Sequence, residues 1–176
     1  MAHLASTNLE YVLTHSQKDD WMIYIASQEE DFPELIHLSI SDKQPYSWRA
    51  SWLLSSCMEN NDKRVRKYIQ KIIDILPARP NNQQRALLKV LQKMELVQDY
   101  EAPIFNLCAN IWKDIKNNPS LRFQAIKIMV AIAKKYPDLR HEIQLLTDTN
   151  YTDNLSDIIQ KSIKKLIIND YSKHGL

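Results

Sequence analysis

The chain contains one glycine in 176 residues, the penultimate Gly175. Ordinary usage of about 7% would supply about a dozen. Glycine gives a chain positive φ angles and close backbone approach. Without it, phosphate-cradling P-loops, dinucleotide-binding fingerprints and nucleophile elbows are excluded. The primed two-residue turns of tight β-hairpins are disfavoured for the same reason. What remains is a fold whose connections need only Asn, Asp, Ser, Thr and Pro, which points to helices joined by caps.

Helical periodicity agrees. Apolar residues recur at intervals of three and four, and no segment alternates at period two. About ten helices are expected, in antiparallel pairs because the connections are short. Thr7 to Glu10 reads as a capping box. Ser16 is expected to cap a helix through Glu29, and Asp31 with Pro33 to open one carrying Leu35, Ile36, Leu38 and Ile40. Pro45 opens a helix to about Met58. Asn61 or Asp62 starts another that ends near Leu76, before Pro77 and Pro80. Asn81 or Asn82 caps a helix to Leu96, and Pro103 fits the first turn of a helix over residues 102–117. Asn118-Pro119 is a cap-plus-proline signal for a helix ending at Tyr136. Pro137-Asp138 opens one through Leu146, a loop follows, and a last helix spans residues 155–168. That last helix carries Leu155, Ile158, Ile159, Ile163 and Leu166 on one face. The helix from Pro119 is apolar around most of its circumference and must lie between other helices.

Apolar content of 44% and charged content of 25% are globular values. The length suits one domain over 1–176. No apolar run approaches a membrane span, and residues 1–15 lack a signal-like basic start, so a cytoplasmic protein is expected. Cys57 and Cys108 read as small apolar filler of a reducing compartment. The histidines at 3, 15, 37, 141 and 174 show no metal-ligand spacing, and His37 is expected to be half-buried. No cofactor, metal or small-molecule substrate is implied.

Three segments align: S-W-R-A-S-W-L-L at 47–54, Q-Q-R-A-L-L-K-V at 83–90 and S-L-R-F-Q-A-I-K at 120–127. Their arginines, Arg49, Arg85 and Arg122, lie 36 and 37 residues apart, each near a helix start. A second helix follows each one. One pair cannot bury its apolar faces alone, so such pairs stack. At this spacing, the chain resembles the HEAT/armadillo-like class. More narrowly it is similar to short HEAT-like proteins of the Bacteroidetes type, through W-R-A-S-W-L-L at 48–54, R-A-L-L-K-V-L at 85–91, A-I-K-I-M-V-A-I-A at 125–133 and K-K-Y-P-D-L-R-H-E-I at 134–143. The resemblance implies an all-α fold, an α-α superhelix or solenoid. Its repeats would cover about 45–80, 81–118 and 119–150, capped by helices over 7–40 and 153–168. It carries over no catalytic or ligand residue. Adenylosuccinate lyase activity, a label attached to some such proteins, is rejected: that enzyme needs a glycine-bearing signature loop of the G-S-S-x-M-P kind, which is absent here.

Charge is segregated along the chain. Residues 1–60 carry a net charge of −6 and residues 61–176 a net charge of +8. Lys63, Arg64, Arg66, Lys67 and Lys71 concentrate on one helix, and Arg85, Lys89 and Lys93 form an i, i+4, i+8 row on another. Such a row follows an acidic protein or a phosphate backbone, or is only a solvated face. Arg49, Arg85 and Arg122 are either repeated anion binders or structural groups, and repeat position favours structure. Trp48, near its helix start, is the groove candidate among the tryptophans, whereas Trp52 is expected in the core. The expected function is a non-enzymatic scaffold binding another protein through Lys63, Arg66, Lys67, Lys71, Arg85, Lys89, Lys93 and Trp48. A nucleic-acid-binding module is the alternative. A glycosylase of the kind found in the HEAT-like class is a third reading, resting on Trp112 and Asp114.

Overall fold

The caps that the sequence supplies set where the helices begin. The computed structural model describes residues 7–171, which hold twelve α-helices, two 3-10 turns and no strand. Two compact units make up the chain, Met1–Glu95 and Leu96–Leu176.

In the N-terminal unit, Thr7 caps α1 (Asn8–His15), and its capping box with Glu10 is complete. Helix α2 (Lys18–Ser27) follows. Its cap position is Gln17 rather than Ser16, because the Ser16 hydroxyl donates to Val12 O (2.6 Å) and so closes α1 instead. A 3-10 turn at Glu29–Asp31 leads into α3 (Phe32–Ile40). Helix α4 (Tyr46–Cys57) comes next. The helix expected from Asp62 to Leu76 is divided into α5 (Lys63–Arg66) and α6 (Ile69–Ile75). Between them Tyr68 N–H bonds back only three residues, to Val65 O (2.8 Å), and Tyr68 itself is engaged by His37. Of the two caps expected, Asn61 and Asp62, it is Asp62 that caps α5, accepting from Arg64 N–H. Helix α7 (Asn81–Lys93) starts one residue earlier than an Asn81 cap would allow, with Pro80 in the cap position.

Helix α4 is the hub of this unit, packing against α1, α2, α3 and α7. Its apolar stripe of Ala50, Leu53 and Leu54 is fully buried. Ser47, Ser51 and Ser55 are buried beside it at i, i+4, i+8. Buried hydroxyls need partners, and Ser51 donates to Ser39 O on α3 (2.8 Å). Fully buried Gln83 on α7 completes this seam, donating to Ser39 O (2.9 Å) and Ser41 O (3.0 Å) and accepting from Gln44 Nε2 (3.0 Å). One amide thus links α7 to the end of α3 and the approach to α4.

In the C-terminal unit α8 (Gln98–Lys113) begins a turn earlier than expected, so Pro103 lies inside the helix. The cost is one missing backbone donor to the Asp99 carbonyl. Asn118 caps α9 (Pro119–Ala133) by accepting from Ser120 N–H (2.9 Å), as the sequence predicts. Helix α9 packs against α8, α10 (Leu139–Leu146) and α12 (Asp157–Tyr171), which accounts for its apolar circumference. The segment expected as a loop forms a short α11 (Thr149–Thr152) capped by Asp148. On α12, Leu155 just before it and Ile163 are buried, but Ile158 is 79% exposed, so the expected apolar face is narrower than its sequence pattern. His3, His174 and Gly175 lie outside the described residues.

Candidate functional site

Helix α4 packs against both α2 and α7. On α7 the i, i+4, i+8 spacing puts Arg85, Lys89 and Lys93 in one row, and all three are half-buried. Lys93 Nζ donates to Met58 O at the end of α4 (3.0 Å). On α2, Lys18 Nζ lies 4.8 Å from the centre of the Trp52 ring on α4, a cation–π distance. Trp52 meets Trp21 of α2 edge to face at 5.8 Å. Burial, followed by the positive charges of Arg85, Lys18 and Lys93, holds the Lys89 ammonium below the usual lysine range. The positive charges of two helices therefore act together on Lys89, and one of them, Lys18, covers the Trp52 indole.

The other basic residues on the predicted surface occupy α5 and α6 and the residue between them, all exposed. Arg66 donates to Asn61 Oδ1 (3.0 Å), and Lys67 lies 5.1 Å from the centre of its neighbour Tyr68's ring. Lys63 lines a depression of about 890 Å³ with Phe32, Cys57 and Arg64. Arg64 is held there by Asp62 (2.7 Å) and stacks 3.4 Å from the Phe32 ring centre. The same contact keeps the Asp62 carboxyl below its usual range, first through the Arg64 hydrogen bond. Burial pushes the Cys57 thiol up to about 11, so it is a neutral thiol at physiological pH.

Trp48 is half-buried and lines a second depression, of about 680 Å³, at the α1–α2 turn. Trp52 is not in the core as expected; it is half-buried on the α2 side of α4. His37 is exposed rather than half-buried, its ring edge-on to Tyr68. The residues that sequence reasoning missed are Lys18 and Trp52. They sit on different helices, and only the packing of α2 on α4 brings them together, so no local spacing signals them.

The C-terminal unit treats its charges differently. Arg122 is fully buried and donates to Trp112 O (2.9 Å), Asn154 Oδ1 (2.9 Å) and Tyr151 O (2.5 Å). Trp112 is equally buried, its indole N–H bonded to Leu146 O (2.6 Å), whereas Asp114 is exposed at the end of α8 and accepts from Lys116 N–H. The pairing of Trp112 with Asp114 on which a glycosylase reading rested is therefore not formed: one is core, the other a helix terminus. Buried Glu101 pairs with Lys135 and accepts from Tyr136 Oη (2.6 Å). Burial raises its pKa, but those two partners more than offset this and the net shift is downward.

A family model described as a HEAT repeat domain matches residues 5–169. The chain belongs to the HEAT repeat family. No curated protein and no solved structure matches it. HEAT repeat domains are helical scaffolds, commonly for protein interaction. In this HEAT repeat protein no described helix is long and apolar enough to cross a membrane, and the described residues hold no cluster of three metal-ligating side chains. Of the three aligned arginines, Arg49 and Arg122 each occupy the fourth position of their helix, whereas Arg85 is the fifth residue of α7.

Proposed function

We propose that this HEAT repeat protein is a non-enzymatic scaffold that binds an acidic segment of another protein across the α2, α4 and α7 face of its N-terminal unit. The observation that carries the reading is the basic row of Arg85, Lys89 and Lys93 on α7, with Lys18 lying over Trp52 on α4, the helix that α7 packs against. Like charges held together repel, and an anionic partner relieves that repulsion. Residues 1–95 contain 12 basic and 12 acidic residues, so this cationic face reflects arrangement rather than net charge.

A second reading has a specific observation behind it. An indole with a lysine over it, near a basic row, is also what single-stranded nucleic acid uses for stacking and phosphate contact. Fluorescence anisotropy with labelled hexaglutamate, and with hexathymidylate, separates the two at 150 mM salt. Tighter peptide binding that falls at least tenfold in the double variant Lys89→Glu/Lys93→Glu supports the protein reading. Tighter oligonucleotide binding with a steep salt dependence supports the nucleic-acid reading instead. No binding of either probe at low salt ends both.

A further inference from the structure

We propose that the depression at the α1–α2 turn takes one carboxylate side chain of the acidic partner, gripped by Arg49 and Lys18 against the Trp48 ring. The proposal rests on the reading of this unit as a face for an acidic protein, and it adds a defined recognition pocket to that face.

The depression has a volume of about 680 Å³, and its wall includes Lys18, Arg49, Trp21, Trp48, His15 and Asp19. Arg49 is incompletely satisfied. One terminal nitrogen donates to Leu13 O (2.7 Å), and the guanidinium carbon lies 5.9 Å from the Trp21 ring centre and 5.5 Å from that of Trp48. Its Nε is buried and has no hydrogen-bond partner, a state it shares with the Nε of Arg79. A buried N–H without an acceptor is uncommon and calls for an explanation. The guanidinium's second terminal nitrogen, given no partner by these contacts, is a charge-assisted donor suited to a carboxylate oxygen. The repeat does not impose this state on the arginine. Arg122, at the same helix position, has acceptors on all three of its nitrogens.

Shape and continuity point to a glutamate-type side chain. Its apolar stem suits the two indoles, and its charged tip suits Arg49 and Lys18. Asp19 is the opposing charge on the wall, against the cations Lys18 and Arg49. Lys18 belongs both to this depression and to the cationic face, since it also covers Trp52. A segment lying along Lys89 would therefore reach the depression without leaving cationic surface.

The test uses the full chain and capped hexaglutamate, followed by NMR of the tryptophan indole N–H groups, with Trp48 assigned from the Trp48→Phe spectrum. The expected result is saturable movement of both the Trp48 and Trp52 signals with one dissociation constant. Arg49→Lys keeps the charge but removes the planar guanidinium with its second terminal nitrogen, and should weaken binding at least fivefold. Lys18→Gln, at an exposed position, should weaken it as well. A silent Trp48 signal, with affinity unchanged in Arg49→Lys but lost in Lys89→Glu/Lys93→Glu, overturns the pocket and leaves the face standing. Absence of any binding by the native chain overturns both. If Arg49→Lys does not fold, the Trp48 signal in the native chain decides alone.

Discussion

Helices α4 and α9 occupy equivalent places in the two units, yet they use the same arginine in opposite ways. Each is the hub its neighbours pack on, and each carries an arginine at its fourth residue and a tryptophan close to it. In the C-terminal unit, burial lowers the Arg122 pKa, opposed by Asp114, and three acceptors hold the group. Two of those acceptors come from the α11 region, Tyr151 and Asn154. In the N-terminal unit, Arg49 reaches one carbonyl, on α1, and its remaining surroundings are two indoles and an open depression. A repeat position therefore fixes where an arginine stands, but the neighbouring segment determines whether it closes a core or faces a partner.

The comparison breaks most decisively at Arg122. Arg122→Met should cost about 2–4 kcal/mol in urea unfolding, because it takes the Arg122 donor from the carbonyls of buried Trp112 and half-buried Tyr151 and from the Asn154 amide. Arg49→Met should cost about 1 kcal/mol, the worth of one ordinary hydrogen bond. Equal losses in the two variants would mean that the arginines are equivalent after all. Next in size is Gln83→Leu in the seam of the N-terminal unit, expected to cost about 1–3 kcal/mol: the Ser41 carbonyl loses its Gln83 donor, while Ser39 O keeps the one from Ser51.

Acid sharpens the contrast further. The folded pKa of Glu101 lies below its usual 4.5, so the stability it contributes is complete above that pH and is lost as pH falls through the folded value. Thermal melts below pH 4.5 should therefore lose less stability with acid in Glu101→Gln than in the native chain. An identical pH slope would show that Lys135 and Tyr136 do not hold the carboxylate. The smallest effect is expected at Lys89. Removing its charge in Lys89→Gln should raise stability by a few tenths of a kcal/mol, the size of a relieved i, i+4 like-charge pair, while weakening hexaglutamate binding. A loss of stability would mean that the row is structural rather than a face for a partner.

Much of the architecture was legible because its causes are local. Thr7, Asp62 and Asn118 cap where their side chains predict, since capping depends on two or three adjacent residues. The apolar circumference of α9 foretold its burial between neighbours. Local signals failed where a side chain had a competing use. The Ser16 hydroxyl closes α1 rather than opening α2, and Pro103 is tolerated inside α8. The apolar pattern of α12 overstated its buried face at Ile158.

The candidate site was legible only in part. The i, i+4, i+8 row of Arg85, Lys89 and Lys93 follows from helical geometry alone. Lys18 and Trp52 join it through α2 packing on α4, 34 residues apart in sequence, and nothing in either segment announces the meeting.

By itself the sequence determined an all-helical chain of repeated hairpins, because glycine scarcity, periodicity and caps act over a few residues. Only the tertiary structure decided which repeated arginine is sealed in a core and which borders an open depression. Burial and hydrogen-bond satisfaction depend on what distant segments bring to the same place, and that information is not carried by spacing along a helix.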